Sequence, residues 1–93
     1  MYNHNPRITC KDGFNISVQA HDGSYCQRNT NGVPVTVECG FPSWVPGTSE
    51  FRKYAELCGT SDYTKTVYGF VPVEVVRAEL AIHGGIVDGC LPS

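Results

Sequence analysis

Charge is scarce in this 93-residue chain: Asp, Glu, Lys and Arg make up 17% of it, and seven Lys and Arg against nine Asp and Glu leave a net charge of −2. That balance excludes a general nucleic-acid binder held by phosphate neutralisation, and equally an acidic nucleic-acid mimic. Long apolar runs are missing as well. None approaches the roughly 20 residues of a membrane span, and the polar opening from Met1 to Pro6 lacks the charged-then-apolar order of a secretory signal. A soluble, cytoplasmic chain with no membrane partner is expected. Catalytic signatures are absent too: there is no G-x-S-x-G, phosphate loop, H-E-x-x-H or dinucleotide fingerprint. The nearest acid–base candidates are His21 beside Asp22, and His83 at the end of a helical pattern. They read better as a turn residue and as a complement to the helix dipole. No enzyme and no cofactor are expected. No gap between the five cysteines makes a C-x-x-C, and the three histidines are not spaced as zinc ligands, so no metal site is expected either. The odd count leaves at least one thiol unpaired within the chain, and Cys10, Cys26 and Cys39 read as small buried apolar residues in or beside strands.

What is present is enough apolar character, 41%, for one folded domain spanning residues 1–93. Residues 7–10 and 14–20 are strand-like and separated by Lys11-Asp12-Gly13, an Asp-Gly loop that predicts a hairpin. In the second run Phe14, Ile16, Val18 and Ala20 alternate with Asn15, Ser17 and Gln19, so one face is apolar and the other polar without charge. Such a polar face suits a polar ligand or an oligomer contact as well as plain exposure. Further strands are expected over 25–28 and 33–41, with Pro34 at a strand entry or edge. Residues 42–62 are loop-rich, and only 49–58 offers a short helix, capped by Thr48 or Ser49. The last strand is expected at 64–71. Over 72–83 Pro72 and Glu74 favour a helix start and Gly84-Gly85 a stop. Its apolar stripe of Val73, Val76, Leu80 and Ala81 is widened by Val75, Ala78 and Ile82, leaving Glu74, Arg77, Glu79 and His83 outward. So broad a stripe calls for a second contact, and the apolar tail, residues 86–93, is suited to a short strand or to docking on a neighbour. The fold class is α+β: a twisted antiparallel sheet of about four strands, one main C-terminal helix packed on a face, and a loop-rich insertion.

Binding chemistry concentrates in aromatic and guanidinium side chains. Rings stack bases and Arg forks grip phosphates, so Tyr25, Arg28, Trp44, Arg52, Tyr54 and Tyr68 are the candidate ligand-binding residues, with Tyr63 beside them. Trp44, stiffened within Pro42-Ser43-Trp44-Val45-Pro46, is a ligand platform, an interface anchor or a cover for the sheet. Arg28 opens the loop Asn29-Thr30-Asn31-Gly32, which is suited to an anion or is a plain hairpin end.

The ordered strings Asp12-Gly13-Phe14-Asn15-Ile16-Ser17-Val18-Gln19-Ala20, Ser24-Tyr25-Cys26, Val37-Glu38-Cys39-Gly40-Phe41-Pro42-Ser43, Val67-Tyr68-Gly69-Phe70-Val71-Pro72-Val73-Glu74-Val75-Val76 and His83-Gly84-Gly85 span most of residues 12–85. In these the chain resembles small proteins of tailed bacteriophages and prophages. The resemblance implies an anti-defence factor acting in the host cytoplasm. Its expected form is a non-catalytic sponge that sequesters a host immune nucleotide signal, assembled as a homo-oligomer. The alternatives are an inhibitor that binds a host defence protein or complex, in the manner of anti-CRISPR proteins, and a minor virion component.

Overall fold

The computed structural model describes residues 4–21 and 23–93. Met1 to Asn3, half of the polar opening, and Asp22, the partner suggested for His21, lie outside them. β1 (Ile8–Cys10) and β2 (Asn15–Gln19) form the expected antiparallel hairpin, with Ile8 opposite Ile16. Its tight loop is possible because Gly13 adopts φ +98°, open to glycine alone without strain. The alternation in β2 holds for the core: Phe14, Ile16, Val18 and Ala20 are all buried.

β4 (Pro34–Gly40) is the centre of the sheet. Gly40 pairs with both Ser17 of β2 and Val67 of β5 (Val67–Pro72), and Thr36 with both Gln27 of β3 (Gln27–Arg28) and Pro72. A residue has one partner on each side, so β2 and β3 share one edge of β4 and β5 takes the other. Pro34 is tolerated because it stands at the entry of this central strand. On the far side of β2 lie β1 and then β6 (Ile86–Asp88), where the apolar tail adds a strand. Among the described residues the sheet therefore has six strands rather than about four, all paired antiparallel, and β5 is not the last. The run expected over 25–28 pairs only at Gln27 and Arg28, because Tyr25 leaves the strand path to lie on β5.

The middle segment holds a helix of one turn, α1 (Ser49–Arg52), instead of the ten residues expected. Thr48 is its cap, accepting from the Phe51 N–H at 3.2 Å. The main helix α2 (Val73–Ile82) starts after Pro72 and ends at His83, where Gly84 and Gly85 return their N–H groups to Ala81 and Leu80. It packs on β4, β5 and α1. Its buried face corrects the expected stripe. Val76 and Leu80 are inside, but so are Glu79, 1% exposed, and His83, 6%, while Ala78, Ala81 and Ile82 face out. A carboxylate survives there only because it is fully paired, as shown below. Among the described residues no helix is long and apolar enough to cross a membrane.

Candidate functional site

The two sheet faces differ sharply. One buries Ile16, Val18, Val37, Cys39, Tyr68 and Val71 beneath α2. The other presents Ser17 and Gln19 of β2, Glu38 and Gly40 of β4 and Val67 of β5, and among the described residues no helix lines it. A cavity of about 180 Å³ lies on these residues, walled by His4, His21 and Phe41. It shares His4, Gln19 and His21 with a cavity of about 390 Å³ that reaches Arg28. In the other direction it shares Phe41 and Val67 with one of about 260 Å³ lined by Tyr25, Glu56, Cys58, Lys65 and Thr66. These three form a groove along the open face.

At the basic end, Arg28 is fixed by donating to the carbonyl oxygens of Gly32 and Ala20, which ties the β3–β4 loop to the end of β2. His4 and His21 meet edge to face with centroids 4.8 Å apart. Gln19 is nearly buried because its amide bonds both the N–H and the C=O of Asn5, at 2.7 and 2.8 Å, so the N-terminal segment forms part of the wall. Ser24 Oγ, in the wall of a further cavity shared with His21 and Arg28, is buried without a hydrogen-bond partner among the described residues.

At the aromatic end, Tyr25 stacks on Phe70 with centroids 5.7 Å apart and lies over Gly69. The approach is close: a Cβ at Gly69 would stand 3.2 Å from Tyr25 Cδ2 and 2.9 Å from Glu56 Oε2. Phe41 is half exposed between two of the cavities.

The six candidate residues are thus dispersed. Tyr25 and Arg28 line the groove. Trp44 is on the α2 side, its ring edge-on to Phe14 at 5.4 Å and to His83 at 5.7 Å, and is 40% exposed. Arg52 donates to the Pro46 carbonyl at 2.6 Å, and Tyr54 packs against the core with the Lys53 ammonium 5.8 Å over its ring. Tyr68 cannot stack a ligand. It is wholly buried, its hydroxyl donates to the Tyr63 carbonyl, and burial pushes its phenol well above the usual range. Strict alternation would set Tyr68 and Val71 on opposite faces; the bulge at Gly69 and Phe70 turns both inward, so the sequence pattern did not show it. Phe41, Glu56 and Lys65 were missed, because their meeting depends on the path of the middle segment. The uncharged Ser17 and Gln19, read from the sequence as suited to a polar ligand, an oligomer contact or plain exposure, line the groove. Of the thiols, Cys10 and Cys39 are buried as expected, Cys26 is half-buried, and Cys58 and Cys90 are exposed. Among the described residues no group of three His, Cys, Asp or Glu could hold a metal ion.

A second polar cluster lies under α2. His83 Nδ1 is 2.8 Å from Asp12 Oδ2 and Nε2 is 2.7 Å from Glu79 Oε2, and its ring stacks on Phe14 at 3.9 Å and 3°. Glu79 also accepts the N–H groups of Gly47 and Thr48 and the Thr48 hydroxyl, at 2.8 to 3.0 Å. Burial pushes the Glu79 carboxyl up, but the Gly47 amide, His83 and Thr48 outweigh it and hold the group below the usual carboxylate range. Asp12 is likewise lowered: desolvation raises it, and the Phe14 N–H and His83 more than compensate. Both ring nitrogens are thus engaged by carboxylates, which clamps the imidazole between Asp12 and Glu79.

No family model, curated protein or solved structure matches the chain.

Proposed function

We propose that this chain is a non-catalytic binding protein that sequesters a nucleotide-type ligand in the groove on the open sheet face. The observation that carries the reading is the continuity of that groove, which has exposed rings at one end and a fixed guanidinium at the other. A nucleotide needs both a stacking surface and a cationic grip. Ser24 adds to the reading, since its buried hydroxyl, without a partner among the described residues, shares a cavity wall with Arg28 and has a donor to give to an anion. The resemblance to phage proteins supplies the biological role: an anti-defence sponge in the host cytoplasm, assembled as a homo-oligomer and trapping an immune nucleotide signal. Isothermal titration against cyclic and ADP-ribose-type nucleotides is expected to give saturable heat, with affinity falling about tenfold or more in Arg28→Ala. Absence of heat with every nucleotide overturns the reading.

One observation favours the alternative, inhibition of a host defence protein. Trp44 and Val45 are 40% and 49% exposed on a segment pinned by Glu79 and Arg52, which is how a protein-binding anchor is presented. Silence in the titrations would leave that surface as the one to pursue.

A further inference from the structure

Three bulky residues adopt the left-handed backbone region that side chains of their kind avoid: Phe41 at φ +50°, Leu57 at +51° and Phe70 at +52°. All three lie in or next to residues that line one cavity, the slot of about 260 Å³ at the aromatic end of the groove. Phe41 is in its wall. Leu57 joins Glu56 to Cys58, which are both in the wall. Phe70 supports the Tyr25 ring from behind.

Each strained residue is held by hydrogen bonds to neighbouring segments. The Phe41 N–H donates to the Thr66 carbonyl at 3.0 Å, and its own carbonyl accepts from Arg7 Nη2 at 2.6 Å. The Leu57 N–H donates to Thr66 Oγ1 at 2.9 Å, and the Phe70 N–H to the Tyr25 carbonyl at 2.9 Å. Backbone strain persists only where the surroundings over-determine it, and it gathers where a ligand is clamped. Here it fixes two exposed rings, Tyr25 and Phe41, on the walls of one cavity without a ligand to order them, which lowers the cost of binding a flat molecule.

The slot also has a chemical preference. The Glu56 carboxylate has no hydrogen-bond partner among the described residues. Its Oε2 lies over Gly69 beside the Tyr25 ring, where the missing side chain leaves it room. A carboxylate only accepts. A flat heterocycle with adjacent N–H donors on one edge, as guanine has, satisfies both oxygens. Adenine, with a ring-nitrogen acceptor on the corresponding edge, sets acceptor against acceptor.

We infer that the cavity between Tyr25 and Phe41 is a preorganised slot for a guanine-type base, stacked by the two rings and read by the Glu56 carboxylate. This rests on the groove reading above and adds which end takes the base and which base it is.

The test is titration of the intact protein with GMP and AMP, repeated with Tyr25→Ala and Glu56→Gln. GMP is expected to bind at least about tenfold more tightly than AMP. Tyr25→Ala should weaken GMP about tenfold or more, the usual effect of losing one stacking ring. Glu56→Gln should bring the two nucleotides close to parity while the protein melts at an unchanged temperature. Equal or reversed preference in the wild type, or a preference that survives Glu56→Gln, overturns the slot and leaves the groove reading standing. If ADP-ribose-type and cyclic nucleotides fail together with GMP and AMP, both readings fall. Should Tyr25→Ala misfold, the exposed Glu56→Gln change still decides the outcome.

Discussion

Glu79 shows how far one side chain can depart from what its chemistry suggests. Its carboxylate takes four hydrogen bonds, from Gly47, twice from Thr48, and from His83. Three of these come from a segment more than thirty residues away along the chain, as the separations of 31 and 32 show. A local pattern cannot register them. Val76, Glu79, Leu80 and His83 are spaced as one inward stripe, but sorting by polarity sends the charged pair out. Removing a buried carboxylate that accepts several hydrogen bonds costs about 3–5 kcal/mol because its donors stay behind unpaired. Glu79→Ala is therefore expected to lower stability by about that much in a denaturant melt followed by Trp44 fluorescence, the indole being packed edge-on against His83. The same residue sets an acid limit. Glu79 and Asp12 release their protons more readily in the folded chain than in the unfolded one. In the window between the two states' values the unfolded chain binds more protons, so their stabilisation is complete above the ordinary carboxylate range and drains as pH falls through the folded values. The melting temperature should be level above about pH 5 and fall toward pH 3. Glu79→Gln should make that fall shallower; an acid limb as steep as the wild type's would remove Glu79 from the explanation.

At the scale of elements, strands with strict alternation were readable and irregular ones were not. β2 is legible because a half-buried strand must alternate. β5 is not, because an extra residue at Gly69 and Phe70 breaks the register between Val37 opposite Val71 and Cys39 opposite Tyr68. α1 is curtailed because the chain after Arg52 turns back to β5, where Ala55 bridges Tyr68 and the Glu56 N–H donates to the Val67 carbonyl. β6 depends on an equally non-local fit. Gly89 leaves it at φ +83°, and a Cβ there would stand 2.7 Å from the Arg7 carbonyl oxygen and 3.2 Å from Ile8 Cα. Both obstacles are backbone, so neither can swing aside. Gly89→Ala should cost about 1–3 kcal/mol and specifically loosen β6 from β1. Amide exchange is the suitable measurement. The Lys11 and Asp12 amides, which donate to Gly85 and His83, should lose protection while those in β4 keep it. Uniform loss across the sheet would mean that β6 is not a separable unit.

The whole molecule is compact for its length: its radius of gyration of 12.3 Å matches the roughly 12 Å of a tightly folded chain of this size. Yet its apolar surface is not all inside. Ile82 at the end of α2 is 56% exposed, and Ile86 and Val87 of β6 are 38% and 63% exposed just beyond the Gly84-Gly85 turn. β6 is also the last strand on its side of the sheet, and an edge strand so exposed is ordinarily covered or charged. Association through this edge would cover that surface, and is how the proposed homo-oligomer would form. Light scattering on size-fractionated protein should then give a mass above that of one chain and rising with concentration, and Val87→Lys should return it to one chain without lowering the melting temperature. The groove is built from one chain: its aromatic cavities lie around β2, β4 and β5, the tail residues Pro92 and Ser93 join the wall only of its basic cavity, and Val87 lines none of the three. A wild-type protein that stays monomeric at every concentration would therefore remove the oligomer while leaving ligand binding intact, and Val87→Lys should bind GMP as the wild type does.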